Sequence, residues 1–236
     1  MYNTYLPFIS ISISTYNRLI LLQRLIDSLR EYNIYNTDAY ELITVDDSTN
    51  NDTWDWLNSN EYIKGLNHKL IRLGGQGDAK CKNTGLKLAS EKTEFYWHLD
   101  DDVYLTKPGL LQYGVKIMRA FPEIGILSFH THRLPEAPHI MQKHHLPYAT
   151  EERDGLLVWY KNFSSCSDWF MRKSMVDEIG LFDENVKQGV ELRKKNLDTL
   201  YIERIKAAGN KWKVASIPDC GVIHADMREM GFGPTY

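Results

Sequence analysis

Residues 95–105 read FYWHLDDDVYL, and the reading of this stretch decides the fold. An aromatic, apolar run of strand character ends in three consecutive acids, Asp100, Asp101 and Asp102, before Val103-Tyr104-Leu105 resumes. Acid triplets usually decorate solvated loops. At the end of a buried strand, however, three carboxylates repel one another unless something positive joins them.

Working outward, the sequence alternates strand and helix patterns. FISISIST (8–15) alternates apolar and small residues with period two, and residues 17–32 carry helical apolar spacing at Leu19, Leu22, Leu25, Ile26 and Leu29. YELITV (40–45) reads as a second strand, with a short helix around Trp54 to Leu57 behind it. HKLIRL (68–73) is a third strand, and a Gly-rich turn opens a helix over 77–90. TEFYWHL (93–99) is the fourth strand, Leu110 to Phe121 a helix after Pro108, and 124–132 a fifth strand. Such alternation predicts parallel pairing in a doubly wound sheet. Ligands of these sheets bind beyond the carboxyl ends of the strands. Asp46-Asp47 and Asp100-Asp101-Asp102 both fall at such ends.

The second half is less regular. Residues 133–153 read as a long loop of His, Pro and charge, a length that compact domains seldom carry without function. The segments 156–163 and 166–172 suggest a mixed extension. A helix is predicted over 197–208, closed by Gly209, and a last extended segment over 213–224.

At 236 residues, 43% hydrophobic and 25% charged, the chain has the composition of a globular domain with a full core. Its net charge of -3 offers no broad attraction to nucleic acid or anionic membrane. Cys81, Cys166 and Cys220 are scattered and odd in number, which fits reduced thiols and a cytoplasmic location. The N-terminal residues lack a signal-peptide pattern, and no stretch approaches the roughly 20 apolar residues of a membrane span.

Clustered carboxylates are the hard-oxygen surroundings that Mg²⁺ or Mn²⁺ prefers. A lone DxD fits a turn with helix-capping acids equally well. Here it stands in register with SISTYNR (12–18), LITVDDST (42–49), GDAKCKNTGLKLAS (77–90) and IGLFDENV (179–186). In order and spacing these resemble the GT-A nucleotide-sugar glycosyltransferases, most closely glycosyltransferase family 2, over about residues 8–224.

That resemblance implies a single α/β domain, Rossmann-like, with a mostly parallel central sheet and a mixed acceptor-side extension. Residues 1–130 would be its nucleotide-binding half and 131–236 its acceptor-binding half. It implies a metal-dependent, inverting hexosyl- or pentosyltransferase, with Mn²⁺ or Mg²⁺ and a uridine-linked donor. Thr15 and Asp46 would contact the nucleoside, Asp47 would support them, and Asn83 would shape the donor pocket. Asp100 and Asp102 would hold sugar hydroxyls and the metal, with Asp101 offering a second register, and His224 would complete the metal shell. A cation there stabilises charge developing on the leaving diphosphate. On this reading the metal is the positive partner of the triplet. The base that takes the acceptor proton would be Asp198, in LDTLYIER, with Glu191 as fallback. Leu197 stands where the family has an acid, and an acid in a helix's first turn is also favoured by the helix dipole alone.

Other readings compete. His130, His132, His139, His144 and His145 fall close together, and a mobile acceptor loop, a solvated loop and a zinc site are weighed in that order. Tyr148, Trp159, Tyr160, Phe163 and Trp169 read mostly as core, with one or two as a stacking surface. Lys187, Arg193, Lys194 and Lys195 suit a solvated loop or a phosphate-bearing acceptor, including modified nucleic acid. A sugar nucleotidyltransferase is a rival enzyme, although its Gly-rich phosphate loop is missing from TYNR; a non-catalytic nucleotide-sugar-binding relative is the other rival.

Overall fold

The computed structural model describes residues 7–32, 39–131, 147–186, 196–209, 211–218 and 221–224, with only the backbone for 130 and 131. Glu191, His132, His139, His144, His145 and the 187–195 basic cluster lie outside the described residues.

The first strand explains the two-faced architecture. In β1 (Phe8–Thr15), Ile9, Ile11 and Ile13 point to one face and Ser10, Ser12 and Ser14 to the other. The isoleucines join Leu22, Leu25, Ile26 and Leu29 of α1 (Leu19–Glu31) in one buried cluster. Burying each such side chain stabilises by about 1.5–3 kcal/mol. The serines leave room for α4 (Asp78–Leu88) to approach closely. A Cβ placed on Gly85 of α4 would stand 1.9 Å from Ser12 Oγ. Small residues on both elements therefore set the spacing of this helix from the sheet.

Beside β1 run β2 (Tyr40–Asp46) and β4 (Thr93–Asp100), both parallel to it, and β3 (His68–Arg72) lies outside β2. The α2 (Asp52–Ser59) and α3 (Glu61–Lys64) helices fill the β2–β3 connection. Beyond β4 the order continues β10 (Asp168–Arg172), β6 (Ile124–Ser128), β11 (Lys213–Ser216), β9 (Leu156–Lys161) and β8 (Ala149–Arg153). β10 runs antiparallel to both β4 and β6, so the other strands of this centre keep a common direction. α5 (Leu110–Ala120) joins the α1 face, whereas α6 (Lys173–Ile179) and α7 (Leu197–Ala207) pack on the opposite face around Trp169, Met175 and Tyr201.

Three sequence expectations need correction. The strand read over 124–132 breaks at Phe129, whose amide donates to Asp168 Oδ2 at 2.6 Å instead of continuing the ladder. Its remainder, β7 (His130–Thr131), belongs to a separate sheet with β12 (Val222–His224) and β5 (Val103–Leu105). The last extended segment is likewise two strands, β11 and β12, in different sheets. The loop read over 133–153 ends in a strand, since 149–153 pairs with β9 as an edge hairpin. Trp169 and Tyr160 are core residues as expected, while Tyr148 is exposed and stacks on Tyr160.

Candidate active site

Parallel pairing brings three strand ends together. Thr15 lies opposite Asp46 in the β1–β2 register, and Ser14 opposite Asp100 in β1–β4. Beyond these ends opens a cleft of about 560 Å³, walled by Thr15, Tyr16, the Gly75–Gly77 turn and the aspartate triplet.

Asp47 builds one wall. Its carboxylate accepts from the amides of Gly75 (2.8 Å), Gln76 (2.6 Å) and Gly77 (2.7 Å). Gly74, Gly75 and Gly77 all have positive φ, which glycine adopts without strain and which turns successive amides toward one carboxylate. Asp47 therefore shapes the cleft through this turn. Asp46 is fully buried; Oδ1 accepts from Ser48 N at 3.0 Å, and Oδ2 is enclosed without a partner.

The triplet divides its charge among distinct partners. Asp100 Oδ1 receives Lys82 Nζ at 2.8 Å and His98 Nε2 at 2.9 Å. Lys82 also donates to Asp78 Oδ1 at 2.5 Å, and its side chain is only 1% exposed. Burial alone would raise the Asp100 carboxyl, but Lys82 and His98 outweigh it and hold the group well below the usual carboxylate range. Burial and the neighbouring Lys82 push His98 below the ordinary imidazole range. Asp101 accepts from Thr15 Oγ1 (2.8 Å), Tyr16 N (3.3 Å) and Arg18 Nη1 (3.1 Å). Its burial drives the carboxyl up to about 7 against the pull of Arg18, with Asp102 adding to the rise. Asp102 Oδ2 takes Arg18 Nη1 at 2.8 Å. Its Oδ1 is buried and without a hydrogen-bond partner, with His224 Nε2 at 3.2 Å. Burial would lower His224, but the Asp102 carboxylate prevails and raises it.

These contacts add to the expected cation two positive groups of the chain itself. Lys82 and Arg18 both reach the triplet. Neither was singled out from the sequence, although the Asp78-to-Lys82 spacing of four within a helix pattern was a usable signal.

Asn83 does not line the cleft. Its amide donates to Phe182 O (3.0 Å) and Glu184 Oε1 (2.8 Å), and its oxygen accepts from Phe182 N (2.8 Å). It fastens the GLFDEN segment to α4, and Glu184 in turn borders the cleft. Asp198 opens α7 and accepts from Cys166 Sγ at 2.7 Å. It stands behind the described wall, yet near enough to Lys82 and Asp100 to feel their charge; burial raises its carboxyl. Cys166 carried no sequence signal for this contact. Among the described residues, no preformed group of three or more His, Cys, Asp or Glu side chains could hold a metal ion. No helix among them is long and apolar enough to cross a membrane.

A mostly parallel sheet with acids gathered at the carboxyl rim, covered on both faces, defines a GT-A fold. Residues 10–180 match the family model described as glycosyl transferase family 2, and the chain belongs to that family. The fold is similar to a mannosyltransferase from Pyrobaculum calidifontis solved with GDP-Man and Mn²⁺ (TM-score 0.66, 19% identity, 94% of this chain and 58% of that one). It is also similar to residues 1–349 of S. aureus TarS with UDP-GlcNAc (TM-score 0.67, 20% identity, 93% and 58%). A third similar structure is GalNAc-T7 with UDP, GalNAc and Mn²⁺ (TM-score 0.67, 15% identity, 95% and 45%). The chain thus spans about half the length of these structures. No curated protein matches it at a significant level by sequence.

Proposed function

We propose that this chain transfers a glycosyl group from a nucleoside diphosphate sugar, uridine-linked, to an acceptor hydroxyl with inversion. Residues 1–130 would hold the donor and 131–236 the acceptor side. Family membership and the donor nucleotides bound by the similar structures support this reading. The observation that carries it is the enclosed Oδ1 of the cleft-lining Asp102, which makes no hydrogen bond and stands 3.2 Å from the His224 imidazole.

A carboxylate oxygen and an imidazole suit Mn²⁺, and Mg²⁺ accepts the oxygen. Asp102 and His224 are the residues that would hold such a cation, with Asp100 near at hand but committed to Lys82 and His98. Bound there, a divalent cation would supply stabilisation of charge on the leaving diphosphate. The chain's own groups do the rest. Thr15 lines the cleft at the proposed nucleoside end, and the fully buried Asp46 backs it from the β1–β2 register. The Asp47-held turn presents Gly75–Gly77 along the cleft. Asp198, raised by burial, is the group proposed to take the acceptor proton, and the Cys166 thiol orients its carboxylate.

Calorimetry of UDP with and without Mn²⁺ tests this reading. The expected result is binding at least about tenfold tighter with the cation. Equal affinity in excess chelator would remove the cation from the mechanism. Binding without transfer to any hydroxyl acceptor would mark a binding module instead.

A further inference from the structure

The cleft holds three carboxylates, and the two permanent cations that reach them among the described residues differ in freedom. Lys82 is 1% exposed and bridges Asp78 and Asp100 from inside the fold. Arg18 is 37% exposed and reaches in from the mouth, a single Nη1 contacting Asp101 Oδ1 at 3.1 Å and Asp102 Oδ2 at 2.8 Å. Its backbone is anchored next door. Asn17 sits at φ 53, donates its amide to Ser48 Oγ at 2.9 Å, and accepts from Thr49 N at 3.1 Å. The guanidinium can therefore leave the acids by side-chain rotation from a fixed Cα.

We propose that Arg18 is the exchangeable counter-ion of the Asp101–Asp102 pair. It occupies these carboxylates until a divalent cation takes Asp102, and then turns onto the diphosphate of the donor. This rests on reading the cleft as a nucleoside diphosphate site. A guanidinium and a divalent cation cannot share one carboxylate a few ångströms apart without strong repulsion. One must go, and only Arg18 has solvent on its path. Released, it carries a planar fork of donors that matches phosphate oxygens in pairs, at the edge of the cleft where the anion would lie. Arg18 would thus oppose the cation in the empty site and assist the nucleotide in the filled one.

The test compares wild type with Arg18→Gln in two titrations. Without nucleotide, Mn²⁺ binding is followed by the electron paramagnetic resonance of the free ion. The variant is expected to bind Mn²⁺ at least about tenfold tighter, because its competitor is gone. With Mn²⁺ saturating, calorimetry of UDP is expected to show binding about tenfold weaker in the variant. Unchanged or weaker Mn²⁺ binding by Arg18→Gln, while wild type still binds UDP in a Mn²⁺-dependent way, overturns the exchange and leaves the donor site standing. A wild type that binds neither overturns the donor reading and the proposal with it. A second measurement needs no substituted side chain to fold. The Arg18 Nε–H resonance should move when diamagnetic Mg²⁺ alone is added to wild type, and a resonance that stays in place overturns the proposal.

Discussion

Replacing Lys82 by methionine keeps the length of the buried stem and removes its charge. In wild type the ammonium stands 2.5 Å from Asp78 Oδ1 and 2.8 Å from Asp100 Oδ1 and is nearly sealed from water. Removing one partner of a buried ion pair destabilises by about 3–5 kcal/mol. Asp78 and Asp100 are 21% and 28% exposed and can partly rehydrate, which places the loss near the low end, about 3 kcal/mol. For a domain of this size that corresponds to a melting point lowered by roughly 6–12 °C, read by calorimetry at pH 7. The penalty also has a pH signature. With Lys82 present, the depressed Asp100 carboxyl contributes stability above its unfolded value and loses it as pH falls through the folded one. Without Lys82, burial acts unopposed and the ionised carboxylate is a liability that protonation relieves. The gap between variant and wild type should therefore narrow as the solution is acidified through the carboxylate range. A double mutant with Asp100→Asn should lose less than the sum of the single changes, by about 0.5–3 kcal/mol. Full additivity, or a melting point within a degree or two of wild type, would refute the view that this lysine neutralises the triplet from within.

Asp198→Asn should leave UDP affinity nearly unchanged and lower turnover by about 10²–10⁴-fold in a transfer assay. Because burial raises the Asp198 carboxyl, wild-type turnover should climb with pH through an apparent value above the ordinary carboxylate range and then level off. Asn83→Ala removes three hydrogen bonds to Phe182 and Glu184 and should cost about 1–3 kcal/mol in urea denaturation, with faster amide exchange at Phe182. Gly85→Ala drives a methyl to 1.9 Å from Ser12 Oγ and 3.0 Å from Ser12 Cβ, so about 1–3 kcal/mol should be lost, partly restored by Ser12→Gly.

The sequence was most legible where one residue pattern answers to one neighbour. The Ile/Ser alternation of β1 and the three- and four-residue spacing of Leu22, Leu25, Ile26 and Leu29 each name a buried face, and each element formed where expected. Legibility failed where a choice depends on a distant partner. IGILS before Phe129 and HTH after it read as one extended run; the Asp168 carboxylate, brought in by β10, takes the Phe129 amide where the chain passes to a second sheet. The acid rim followed from strand ends, since those are local. Its cations did not, because Arg18 arrives from the loop after β1 and Lys82 from the helix before β4. The Cys166–Asp198 contact joins a turn and a helix that nothing in their own residues relates.

The placement of β10 bears on how the chain comes off the ribosome. The first four strands can pair as soon as they emerge, because β1, β2, β3 and β4 are neighbours in space as well as in sequence. β4 then keeps one open edge, and β6 has no partner in the main sheet, until residues 168–172 slide between them. During that interval two apolar edges, one carrying Tyr96 and Trp97 and the other Ile126 and Leu127, are templates for any extended chain nearby. A nascent polypeptide stalled between β6 and β10 is the form most exposed to aggregation and to chaperone capture. The wedging of β10 joins β6 to the finished β3-β2-β1-β4 half, and β11, made later still, then ties β6 to the β9–β8 hairpin.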